Sequence, residues 1–125
     1  MKTTDRPVCI FLGNKEKIRT VYNSDITDAL VKSAEIDADK VFTHEDVIAA
    51  PEVFSETKYI FSTWGMPAFS REEISLCFPK LSAVFYAAGS VRSFAAPFLE
   101  SSVKVFSAWA ANAVPVAEFT VSEIL

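Results

Sequence analysis

The chain has 125 residues, half of them hydrophobic, and a net charge of −4 at pH 7. That length and apolar content suit one domain with its own core and no need of disulfide or metal staples. The twelve basic residues are scattered rather than striped, which argues against a nucleic-acid partner, and no apolar run is long enough to span a bilayer, so no membrane role is expected.

The N-terminal stretch MKTTDRPVCIFLG lacks a sustained apolar h-region and a cleavage-like site, so it does not read as a secretory signal. Cys9 and Cys77 lie far apart, outside any CxxC or His-Cys grouping. They read as reduced core cysteines of a cytoplasmic protein.

Five short apolar runs mark strands: PVCIFLG (7–13), ADKVFT (38–43), KYIFST (58–63), LSAVFYAA (81–88) and VKVFSA (103–108). Several are apolar at consecutive positions, the pattern of strands covered on both faces. Between the first two, Ser24 or Asp25 can cap a helix ITDALVKSAE with Ile26, Leu30 and Val31 inward, whereas LGNKEK reads as a loop. Thr43-His44-Glu45-Asp46 has the form of a capping box and Ser70-Arg71-Glu72-Glu73 fits its strict S-x-x-E pattern, with Pro79 ending the second of these helices. Strand and helix alternating five times predict an α/β, flavodoxin-like, three-layer domain with a five-stranded parallel sheet.

In such sheets ligands gather beyond the carboxyl ends of the strands. Three loops fall there: LGNKEK, STWGMP and AAGSVR. Gly65 and Gly89 lie in the last two, where a glycine permits a sharp turn and close approach of a ligand to bare N–H groups; a plain tight turn is the competing reading. The three glycines, at 13, 65 and 89, cannot form G-x-G-x-x-G or a P-loop. His44 is the only histidine, so no metal set and no Ser-His or Cys-His pair assembles without it. It reads as a solvated residue of a helix start. The acidic pairs Glu45-Asp46 and Glu72-Glu73 sit where a helix dipole favours them. No complete catalytic apparatus is visible in these residues.

The last part of the chain, AAGSVRSFAAPFLESSVKVFSAWAANAVPVAEFTVSEIL, resembles one region of the D-isomer-specific 2-hydroxyacid dehydrogenases. The shared pattern is a small-residue glycine loop (Ala87-Ala88-Gly89), a helix, a V-x-V strand (Val103-Lys104-Val105) and an N-x-x-x-V-A-E helix (Asn112, Val116-Ala117-Glu118). STWGMPAFSREEI is similar to the loop and helix after the third strand in one branch of that family. The resemblance implies residues 1–108 as a flavodoxin-like substrate-binding domain. Residues 109–125 would begin the interdomain helix leading to an NAD-binding Rossmann domain. It implies hydride transfer between NAD or NADP and a small 2-hydroxy or 2-keto acid, with an arginine, a glutamate and a histidine as catalytic groups. All three are expected beyond Leu125, so no catalytic residue, cofactor-binding residue or metal ligand is assigned here, and His44 is not the catalytic histidine. Backbone N–H groups of Ala88 and Gly89 would bind the substrate carboxylate. Asn112 would lie near substrate and nicotinamide, and Trp64 and Gly65 would face the cleft, with Trp64 as a pocket wall or an ordinary interface aromatic. Arg92 would either add positive charge near the carboxylate or be an ordinary exposed loop arginine, the second being the favoured reading. The family's G-x-D-x-x-D reads Gly89-Ser90-Val91-Arg92-Ser93-Phe94 here, both acidic positions being lost, which points to a divergent branch.

The final stretch ANAVPVAEFTVSEIL keeps helical spacing with no closing signal. Val114, Ala117, Val121, Ile124 and Leu125 fall on one side and Val116 and Phe119 opposite. A helix apolar on two sides is expected between two packed bodies. The 125 residues alone are accordingly expected to be inactive, to bind no NAD tightly and to self-associate through that helix. The alternative is a non-catalytic flavodoxin-like binding or interaction module.

Overall fold

β1 (Val8–Leu12) is five apolar residues in succession, and all but the first are buried. A strand can bury consecutive side chains only when both faces of its sheet are covered, as they are at this position. The computed structural model describes residues 7–88, 91 and 94–107. Its remaining elements are α1 (Lys15–Val21), α2 (Ser24–Ser33), β2 (Val41–Phe42), α3 (His44–Ala49) and a 3-10 turn at Pro51–Phe54, then β3 (Thr57–Ser62), α4 (Arg71–Cys77), β4 (Ala83–Tyr86), α5 (Ala95–Glu100) and β5 (Lys104–Ser107).

The five strands pair in the order β2-β1-β3-β4-β5, every pair parallel. This is the doubly wound flavodoxin-like sheet expected from the spacing of the apolar runs. Strand order reverses between β1 and β3, so a crevice opens beyond their carboxyl ends. One face buries Leu12, Ile60, Val84, Phe54, Ile74 and Phe98 beneath α3, α4 and α5. The other buries Cys9, Phe11, Phe61, Ile18, Ile26 and Leu30 beneath α1 and α2. Burial of each such side chain is worth about 1.5–3 kcal/mol before entropy is subtracted. The two thiols are free and buried, as expected of reduced core cysteines.

Pairing also sets one aromatic from each of four strands in a single row: Phe11 opposite Phe61, Phe61 opposite Phe85, and Phe85 opposite Phe106. The rings of Phe61 and Phe85 stack at 5.3 Å and those of Phe85 and Phe106 at 5.1 Å.

Local rules explain most helix ends. Thr43 and Ser70 each close a capping box, with Asp46 and Glu73 returning to the cap N–H. α5 ends in a Schellman arrangement: Val103 N–H donates to Phe98 O at 2.9 Å and Ser102 N–H to Leu99 O at 3.1 Å. Ser102 takes the left-handed position with φ of 67°. Three details differ from the sequence expectation. Lys15–Val21 is helical rather than loop, because Asn14 accepts from Lys17 N–H and Ile18 reaches the core. The cap of α2 is Asn23, accepting from Ile26 N–H, rather than Ser24 or Asp25. Val31 is 41% exposed, since the inward side of α2 is carried by Ile26 and Leu30. The expectations placed on Gly89, Arg92, Asn112 and the final helix at 109–125 lie outside the described residues.

Candidate functional site

The crevice at the strand-order reversal is built from two turns pressed together. After β1, Gly13 has φ of 135° and Asn14 caps α1. After β3, Met66 N–H donates to Thr63 O at 3.1 Å, closing a turn with Trp64 and Gly65 at its centre. Gly65 has φ of 92°, the left-handed third position that a type II turn demands. The contact between the turns is close on both sides. A methyl group on Gly65 would sit 3.1 Å from Asn14 Cβ, and one on Gly13 would sit 3.2 Å from Ser62 Oγ. Both glycines hold a positive φ that favours glycine, and a side chain at either would press on its neighbour.

Beneath the turns, buried hydroxyls tie the strand ends to one another. Ser62 Oγ donates to Leu12 O across the β1–β3 seam. Thr63 Oγ1 donates to Ala87 O at 3.0 Å, and Tyr22 Oη donates to Ser62 O at 2.9 Å. Ser107 Oγ donates to Ala88 O at 2.9 Å, extending the network to β5. Burial raises the Tyr22 phenol well above its ordinary range, so it remains a fixed donor at any working pH. Every strand end from β1 to β5 except β2 is thus fixed by a side-chain hydroxyl, which holds the loops above in a defined relation.

Above this floor, Trp64 projects from its turn and is 56% exposed. The Nζ of Lys17, in the first turn of α1, stands 6.0 Å from the centre of its ring. Among the described residues no acceptor engages the backbone N–H of Trp64 or Gly65. Ala88 is buried at the next strand end. The structure therefore brings Trp64, Gly65 and Ala88 to the same carboxyl edge of the sheet, on consecutive strands β3 and β4. Lys17 was not singled out in the sequence, because its position depends on a helix that the charged stretch NKEK conceals. Chemically the arrangement offers unpaired N–H donors, one nearby cation and an aromatic wall, which suits a small anion better than a cation.

The other polar groups have structural work. His44 Nε2 lies 3.3 Å from Glu73 Oε1, and its ring packs on Phe69 at 4.8 Å. Hydrogen bonding from Ser70 N–H is the main cause holding the Glu73 carboxyl below its ordinary range, with His44 adding to it. No group of His, Cys, Asp and Glu able to hold a metal occurs among the described residues. A separate open depression of about 470 Å³ lies at the carboxyl end of β2, lined by Lys15, Lys40, Asp39, Asp46, Phe42 and Phe54. Its two lysines and two aspartates balance, so it has no net preference for an anion. No helix among the described residues is long and apolar enough to cross a membrane.

No family model matches the sequence, and no curated protein matches it. Among solved structures the fold is similar to a glyoxylate reductase from Paecilomyes thermophila, with a TM-score of 0.61 at 12% identity. The match covers 83% of this chain and 32% of the reductase, so the chain spans about a third of that enzyme's length. A pilus assembly-related protein from Burkholderia pseudomallei covers 99% of this chain and 95% of its own at 9% identity, with a TM-score of 0.48. At 12% identity the likeness to the reductase is one of fold.

Proposed function

We propose that this chain is the substrate-binding part of an NAD(P)-dependent D-2-hydroxyacid dehydrogenase, holding the carboxylate of a small 2-hydroxy or 2-keto acid. The reading is carried by the fold likeness to part of a reductase, with the sequence resemblance beside it. The sequence pattern of residues 87–125 resembles that family, and the fold is similar to part of a reductase whose named substrate, glyoxylate, is the smallest 2-keto acid.

The residues suit the binding half of such a reaction. A carboxylate at the β3 and β4 ends would meet the unpaired N–H groups of Trp64 and Gly65 and the backbone of Ala88 and Gly89. Charge-assisted bonds from backbone N–H groups fix an anion without the cost of ordering a long side chain. Lys17 adds a positive field, and Trp64 shields one side of the anion from water. Asn112 would stand near the reacting carbon. The chain's residues do not fit a dinucleotide: three separated glycines provide no pyrophosphate turn. NAD or NADP, the hydride and the proton would therefore be handled by a second, Rossmann-type domain and by groups outside these residues.

Oxalate, an unreactive dicarboxylate of the right size, tests the reading. Trp64 fluorescence should change on titration with oxalate, saturating in the millimolar range, about −4 kcal/mol. Trp64→Phe should abolish the signal, and NADH should bind no tighter than AMP. Equal responses to oxalate, acetate and chloride would refute a carboxylate site. Micromolar NADH binding would refute the division of labour between domains.

A further inference from the structure

The crevice carries two centres of positive potential rather than one. The first is the main chain of the turn after β3, where the N–H groups of Trp64 and Gly65 have no acceptor among the described residues. The second is the ammonium of Lys17, which stands 6.0 Å from the centre of the Trp64 ring. The indole separates the two, since the N–H groups lie at the root of the side chain and Lys17 lies over its ring. Lys17 also has no counter-ion of its own. Its neighbours one turn to either side along α1 are Gly13, Asn14, Thr20 and Val21, all uncharged. No salt bridge among the described residues includes it, whereas Glu56 holds Lys80 at 3.0 Å and Glu100 holds Arg71 at 3.9 Å. Lys15, on the same helix, shares its depression with Asp39 and Asp46. A cation resting on an aromatic face, with no acid beside it, keeps its charge available to a ligand.

We propose that Lys17 makes this site select 2-keto or 2-hydroxy acids that carry a second carboxylate at the far end of a short chain. The inference rests on the proposed carboxylate site and names the substrate class within it. The first carboxylate takes the N–H groups of Trp64 and Gly65, the methylene groups lie along the indole, and the far carboxylate meets Lys17 Nζ. No acid has to be displaced for this to happen. An ammonium on a flexible stem acts as a mobile point charge rather than a rigid fork, so the site accepts more than one chain length. A monocarboxylic acid of the same length leaves Lys17 unpaired and sets a methyl group beside a hydrated cation.

The test is a titration of the labelled 125-residue chain, followed by the amide shifts of Trp64 and Gly65, with 2-oxoglutarate and with 2-oxopentanoate. These acids have the same length and differ only in a carboxylate or a methyl group at the far end. The wild type should bind 2-oxoglutarate about three- to fivefold more tightly at low salt, the scale of an exposed ion pair, and the advantage should shrink at high salt. Lys17→Gln, an exposed change to another good helix former, should bring the ratio of the two affinities to about one, and Lys17→Glu should reverse it. Equal binding of both acids by the wild type, or a preference that survives in both variants, would overturn the assignment of Lys17 and leave the carboxylate site standing. No saturable shift with either acid would overturn the carboxylate site itself, and this inference with it.

Discussion

Replacing Gly65 by alanine probes the contact on which the candidate site depends. Two costs are separable in the geometry. A residue with a side chain at φ of 92° pays about 1–2 kcal/mol for a left-handed backbone. The added methyl also meets Asn14 Cβ at 3.1 Å. Asn14 can retreat only by giving up its cap on Lys17 N–H, a loss of about 1 kcal/mol that limits the second cost. Gly65→Ala should therefore destabilise by about 2–3 kcal/mol in urea unfolding. Asn14→Gly removes the opposing Cβ while glycine remains a tolerable cap, at a cost of a few tenths. In that background Gly65→Ala should cost only the backbone strain, about 1–2 kcal/mol, a coupling of about 1 kcal/mol. A cost below about 0.5 kcal/mol, or no coupling between the two positions, would refute the close approach of the two turns.

Three further outcomes follow from other parts of the structure. Ser102→Gly should stabilise the chain by about 0.5–1 kcal/mol in the same unfolding assay, because Ser102 holds the left-handed position of a Schellman end where glycine has no strain. Cys9, pushed up to about 12 by burial, and Cys77, also raised by burial, should resist Ellman's reagent in the native chain and react fully in guanidinium. Glu73 has a lowered pKa in the fold, so its contribution is present above the ordinary carboxyl value of 4.5 and lost as pH falls through the lower folded value. Glu73→Gln should accordingly be more destabilising at pH 7 than at pH 3, measured by urea midpoints.

The strands were legible because both sheet faces are covered, which leaves runs such as VCIFL and YIF with no polar alternation. Capping boxes at Thr43 and Ser70 were legible because their bonds span only three residues. α1 was not, since a seven-residue helix with Ile18 as its one buried residue hides its period among lysines and glutamates. Asn23 escaped notice because Ser24 and Asp25 offer equally good capping chemistry one and two positions later. At the site, Gly65 announced a turn. That Gly13 and Gly65 serve one contact, and that Lys17 stands beside Trp64, depends on strand order and on α1, and neither can be read along a line. The aromatic row is likewise a property of register: Phe11, Phe61, Phe85 and Phe106 are 21 to 50 residues apart and meet only through pairing.

The most direct test of the central claim is a map of backbone amide shifts on adding oxalate to the isotopically labelled chain. The account predicts saturable shifts concentrated at Trp64, Gly65, Ala88 and Gly89, with smaller ones at Lys17. Shifts confined to the depression around Lys40 and Phe54, or spread evenly over surface lysines, would contradict it.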